Sequence, residues 1–147
     1  MRRPVQVSLL LLLSLVATTA AEAQEWRPST RQMPEMPAVA DLAGDWLSSR
    51  ATWFAGVESL SGVSPGQLRA VGEARRGSRQ TQVVRFTNGP IPVVVWQDRN
   101  GDGRADMVEI YRGGGIVAQV IDADYDGQAN VVRRYDSGGA LLGEERL

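Results

Sequence analysis

Histidine, cysteine and lysine are all missing from this 147-residue chain. Without cysteine there can be no disulfide and no lipid anchor on a thiol. Zinc and iron–sulfur sites built on His or Cys are excluded as well. The commonest general base and the thiol nucleophile are gone with them. Without lysine, every one of the 16 basic residues is arginine. Gly113-Gly114-Gly115 is therefore no phosphate loop, because no P-loop lysine follows it. Aromatics make up only 6% of the chain, and 17 acids against 16 arginines leave a net charge of −1. That balance gives no electrostatic case for nucleic acid or an anionic membrane as partner.

Long apolar runs are also scarce. Val7 to Val16 is broken only by Ser8 and Ser14, and spans about half the roughly 20 residues needed to cross a bilayer. Arg2 and Arg3 precede it, and Ala21-Glu22-Ala23 follows with the small-x-small spacing of a cleavage site. The expectation is a secretory signal peptide over 1–23, hence an exported protein, periplasmic or secreted, with no membrane span after cleavage. Cleavage removes Arg2, Arg3 and Glu22 and leaves 14 arginines against 16 acids.

What remains falls into a lead-in and one domain. Residues 24–39 carry Pro28, Pro34 and Pro37 with few large apolar side chains, and read as a disordered or extended lead-in. Residues 40–147 read as a single α+β domain, with a helical part over 40–75 and a strand-rich part over 81–146. Leu42, Trp46, Ser49 and Trp53 follow helical spacing, widened by Leu47, Phe54 and Val57. Ser64-Pro65 has the form of an N-cap followed by proline, opening a second helix through Leu68 and Val71. From Thr81 on, six short runs rich in Val, Ile and Tyr, at Thr81–Thr87, Ile91–Gln97, Met107–Tyr111, Ile116–Ile121, Val131–Tyr135 and Ala140–Glu145, alternate with Gly or Asp clusters. The fold expected is an antiparallel β-meander of four to six strands with one or two helices packed on one face.

The acidic clusters carry the chemistry. Asp98 to Glu109 reads DRNGDGRADMVE, which matches D-x-[DN]-x-[DN]-G-x5-E, the pattern of a calcium loop. A hard cation needs many oxygens, and alternate residues of a tightly turned loop can aim theirs at one point. A second cluster begins at Asp122 and reads DADYDGQANVVR. One constant offset relates the two. Asp98 maps onto Asp122, Asn100 onto Asp124, Asp102 onto Asp126, Gly103 onto Gly127 and Asp106 onto Asn130, and beyond the loops Tyr111 maps onto Tyr135. The repeat unit is acidic loop, strand, glycine turn, strand, which puts both acidic loops at one end of the sheet. Bound cations would relieve the crowding of so many carboxylates. Without an ion, the same residues would serve as Asx turns that cap strands.

The first loop resembles an EF-hand in its spacing, including Glu109 at position twelve. Its neighbours do not. Pro92-Val93-Val94-Val95-Trp96 approaches it as a strand, Gly113 follows Glu109 too soon for a helix, and Arg133 stands at position twelve of the second loop. The pair is more similar to the β-type D-x-[DN]-x-D-G-x-x-[DN] loops of FG-GAP-like repeats in exported bacterial proteins, over roughly Trp96 to Tyr135. That resemblance implies calcium, one or two ions. It implies side-chain ligands from Asp98, Asn100, Asp102 and Asp106 with the Arg104 carbonyl in the first loop. In the second it implies Asp122, Asp124, Asp126 and Asn130 with the Gln128 carbonyl. Glu109 joins only if the loop closes as in an EF-hand. Magnesium is disfavoured because it keeps its waters in a strict octahedron. The function expected is a calcium-binding structural or interaction module, not an enzyme, whose partner is an envelope or extracellular protein or a glycan. A metal-free envelope protein-interaction domain is the alternative.

Overall fold

A computed structural model describes residues 26–42 and 56–147. The expected signal peptide and the stripe of Trp46, Trp53 and Phe54 lie outside the described residues. Seven strands form one antiparallel sheet in sequence order: β1 Arg69–Ala74, β2 Thr81–Asn88, β3 Ile91–Gln97, β4 Met107–Arg112, β5 Gly115–Ile121, β6 Val131–Tyr135 and β7 Leu141–Arg146. Short strands, alternating side chains and tight turns leave no need for a crossover.

This corrects the expected α+β class. The sheet has seven strands instead of four to six, and the longest helix among the described residues is the five-residue α1, Val57–Ser61. The segment expected as a second helix is the point of failure. Ser64-Pro65 opens only a single 3-10 turn, Pro65–Gln67, with the Ser64 N–H donating to Gln67 Oε1 at 3.3 Å. The chain then extends into β1 and pairs along β2. Local preference for helix in Arg69–Ala74 is worth tenths of a kcal/mol per residue. Pairing satisfies the backbone edge of β2, which would otherwise stand open. Gly72 adds to this, because a Cβ there would sit 2.5 Å from Leu42 and 2.6 Å from Thr81.

One face of the sheet is the core. Val84, Phe86, Trp96, Val108, Ile110, Val120 and Val132 point into it, all essentially inaccessible. Phe86 and Trp96 meet edge-on with ring centroids 4.8 Å apart. Met33, Met36, Val57, Leu60 and Leu68 cover this face. Among the described residues no helix is long and apolar enough to cross a membrane.

The sequence repeat runs through three hairpins, one more than the motif spacing revealed. Register shifts fall at Phe86/Thr87, Ile110/Tyr111 and Arg134/Tyr135, at the same interval that separates Asp98 from Asp122. The upstream copy carries no acids at these positions: Ala74, Arg76, Ser78 and Gln82 stand where the first acidic loop has Asp98, Asn100, Asp102 and Asp106.

The described part of the lead-in is extended as far as Ala38, where a 3-10 turn over Val39–Leu42 follows. It runs as a strap across the loop end of the sheet, bridging Ala38 to Gln80, Glu35 to Arg104 and Gln32 to Gln128. Every third strap residue meets the loop of the next repeat. An extended chain advances about 3.3 Å per residue, so three residues cover about 10 Å. Two strand spacings of about 4.8 Å cover nearly the same distance. The strap sequence follows that step, with Met33-Pro34 after the exposed Gln32 and Met36-Pro37 after the exposed Glu35, and both methionines buried.

Candidate metal centre

Both acidic loops sit at one end of the sheet, between β3 and β4 and between β5 and β6. Gly103 and Gly127 take left-handed conformations with φ of 87° and 88°, so the two loops turn alike at position six. The aspartate at position one organises each turn from inside. Asp98 is buried and accepts from the N–H groups of Gly101 (2.6 Å) and Gly103 (3.0 Å). Asp122, also buried, accepts from Asp126 (3.3 Å) and Gly127 (2.8 Å). Asp102 accepts from the Arg104 N–H at 2.9 Å, and Asp126 from the Gln128 N–H at 2.8 Å.

Carboxylate oxygens converge in each loop. Those of Asp98, Asp102 and Asp106 lie within 4.8 Å of one another, as do those of Asp122, Asp124 and Asp126. Two oxygens on opposite sides of a calcium ion, each about 2.4 Å from it, are themselves about 4.8 Å apart. This spacing is compatible with a metal ion in each trio, and an all-oxygen donor set suits a hard cation.

The trios are not equivalent. Asp106 is buried, and its Oδ2 accepts from the Arg99 N–H (2.6 Å) and the Asn100 N–H (3.2 Å). Its Oδ1 is buried without a hydrogen-bond partner. Burial foremost, then the nearby charges of Asp98 and Asp102, push its carboxyl above the usual carboxylate range, against the two backbone hydrogen bonds. In the second loop the same position is the neutral Asn130, whose Oδ1 accepts from the Ala123 N–H at 3.0 Å. There the raised group is Asp122, through burial first and then its hydrogen bond with Asp124.

Asn100 is tied within its loop, its Oδ1 accepting from the Asp102 N–H and its Nδ2 donating to Asp102 Oδ2, both at 3.1 Å. Glu109 is not brought to the trio. It lies on β4, on the sheet face opposite the core, where Gln97 (3.2 Å), Tyr111 (2.9 Å) and Gln119 (2.9 Å) all donate to its carboxylate. Burial, followed by this hydrogen bond, raises the Tyr111 hydroxyl to about 12. Glu109 is the single carboxylate lining the cleft over that face.

Sequence spacing missed the groups that hold the loops from outside. The strap donates from the Met36 N–H to Gly103 O (2.9 Å) and accepts at Pro34 O from the Ala105 N–H (2.9 Å). Three residues earlier it donates from the Met33 N–H to Gly127 O (2.9 Å) and accepts at Arg31 O from the Ala129 N–H (2.6 Å). The tandem x-Met-Pro of residues 32–37 was the available signal. The Arg75 guanidinium, from the acid-free upstream loop, lies over Gly101, where a Cβ would come within 2.7 Å of it.

Neither a protein-family model, nor a curated protein, nor a solved structure matches this chain.

Proposed function

We propose that this protein is an exported calcium-binding structural or interaction module, without enzymatic activity, whose Asp-rich loops clamp cations at one end of a β-meander. The single observation that carries the reading is Asp106, whose Oδ1 is buried without a hydrogen-bond partner and whose carboxylate converges with those of Asp98 and Asp102. Leaving such a group bare costs about 1–3 kcal/mol, more when it is charged. A cation is the partner that such a position calls for. Calcium suits the oxygen-rich, loop-built donor set better than magnesium does. The leader-like segment 1–23 supports export, into surroundings where calcium is abundant. The partner proposed for the module is an envelope or extracellular protein or a glycan.

The ion-free alternative, a metal-free envelope interaction domain, has its own support. Side-chain oxygens within the first loop already cap the N–H groups of Arg99, Asn100, Gly101, Asp102, Gly103 and Arg104. Thermal unfolding in calcium, in magnesium and in chelator separates the two readings. A ligand at a hundred times its Kd stabilises the folded state by about 2.7 kcal/mol. A midpoint that rises in calcium supports the first reading, and one unchanged across all three conditions refutes it.

A further inference from the structure

We propose that the strap of residues 31–39 is a working part of the cation sites: its backbone fixes the carbonyl each loop offers at position seven, so that cation binding and strap seating are one coupled event. This rests on the calcium reading above. The strap grips each loop at positions six and eight and skips seven, at Gly103 and Ala105 in the first loop and at Gly127 and Ala129 in the second. In an extended segment, successive residues turn their backbone groups to opposite sides. Gripping six and eight therefore turns the N–H and C=O of Arg104 and Gln128 away from the strap and towards the carboxylates. The N–H groups bear this out, donating to Asp102 Oδ1 (2.9 Å) and Asp126 Oδ1 (2.8 Å). A calcium loop takes a backbone carbonyl from this same position.

Side chains tie the strap and the loops further. Gln80 Nε2 donates to Met36 O at 2.5 Å, and Arg104 Nη1 donates to Met33 O at 3.2 Å. The two donors are again equivalent positions of successive repeats, and the two acceptors again stand one strap step apart. Arg104 links the two sites directly. Its backbone belongs to the first loop, while its side chain packs so closely on Gly127 of the second that a Cβ there would stand 3.1 Å away. Met33 and Met36, buried to 1% and 3% exposure, anchor the strap in the core. The bare Asp106 Oδ1 supplies the energetic lever, because the cation that satisfies it also needs the carbonyl the strap holds in place. Coupling of this kind is reciprocal: if the strap strengthens cation binding, the cation must strengthen strap docking by the same factor.

Hydrogen exchange on the unaltered chain tests this, with calcium calorimetry on the same preparation. In saturating calcium, the amides of Met33, Met36, Ala105 and Ala129 should exchange about tenfold more slowly than in chelator. That slowing should exceed any slowing of sheet amides such as Val84 and Val120. The double variant Met33→Ala, Met36→Ala should bind calcium about tenfold more weakly at unchanged stoichiometry. If calorimetry shows binding while the strap amides exchange at the same rate in both conditions, or slow only as the sheet does, the coupling is overturned and the calcium reading stands. A folded double variant with parental affinity overturns it equally. If calorimetry shows no calcium binding, both fall. Should the double variant not fold, the exchange experiment decides alone.

Discussion

Replacing Asp106 with asparagine should stabilise the ion-free protein and destabilise the calcium-loaded one. The amide oxygen keeps the acceptor role of Oδ2 for the N–H groups of Arg99 and Asn100. The amide nitrogen takes the place of the partnerless Oδ1, and the substitution removes one of the three charges that the trio crowds together. The chain already makes this exchange at Asn130, which caps the Ala123 N–H. Because a buried polar atom without a partner costs about 1–3 kcal/mol, the variant should gain about 1 kcal/mol in chelator. For a chain of this size that is about 2–4 °C in Tm. In calcium at a hundred times Kd, the parent gains about 2.7 kcal/mol per occupied site, and the variant forgoes the share of the first loop. The order of stability therefore reverses between the two buffers. Paired thermal melts in chelator and in calcium, followed by circular dichroism, read both arms. A variant less stable than the parent in chelator would refute the cost assigned to Oδ1. An undiminished calcium increment would refute its role as a ligand.

Asp126→Ala should lower the calcium stoichiometry measured by calorimetry; an unchanged value would reduce the second loop to a turn. Arg134→Ala should cost about 2–3 kcal/mol, since this buried guanidinium donates twice to Trp26 O (2.9 and 2.7 Å) and to Glu145 Oε2 (2.7 Å). Denaturant unfolding that leaves the midpoint unmoved would show that these bonds contribute nothing net. Tyr111 should ionise near 12 in an ultraviolet titration, later than an ordinary tyrosine. Its folded value lies above its unfolded one, so its contribution to stability is complete below pH 10 and is lost as pH rises through 12. A titration in which Tyr111→Phe removes no late step would contradict this.

The strands were legible where the sequence alternates β-branched residues between Gly or Asp punctuation. Ile91–Gln97 and Val131–Tyr135 stand as read, and the other four shift by a residue or so. β1 was not legible, because Arg69–Ala74 mixes Ala and Glu with a glycine behind a serine–proline pair, all local signs of a capped helix. What makes it a strand is the open edge of β2, a partner that local propensity does not register. The acidic loops were legible because ligand spacing is itself the pattern. The upstream hairpin escaped for the converse reason: its loop has no acids at the equivalent positions, and its kinship shows in the structure, in the register shift at Phe86/Thr87 and the strap bridge at Gln80. The strap escaped because a three-residue period fits neither the 3.6 of a helix nor the 2 of a strand.

That upstream copy has a consequence for how the strap behaves. Its loop holds the strap without carboxylates at the ligand positions. The Thr81 N–H (3.0 Å) and Thr81 Oγ1 (2.7 Å) both donate to Pro37 O, and the Val39 N–H donates to Arg79 O (3.0 Å). Thr81 is buried, so this station is shielded from water as well as doubly bonded. The strap is thus anchored at 37–39 by contacts to a loop without acids, and meets the acidic loops only over residues 31–36. Withdrawing calcium should loosen it from its upstream end, with Met33 and Met36 released while Val39 and Thr81 stay protected. Residue-resolved exchange in chelator should show that gradient. Uniform exchange along the whole strap would mean that the three stations act as one, and that the absence of acids upstream has no mechanical meaning.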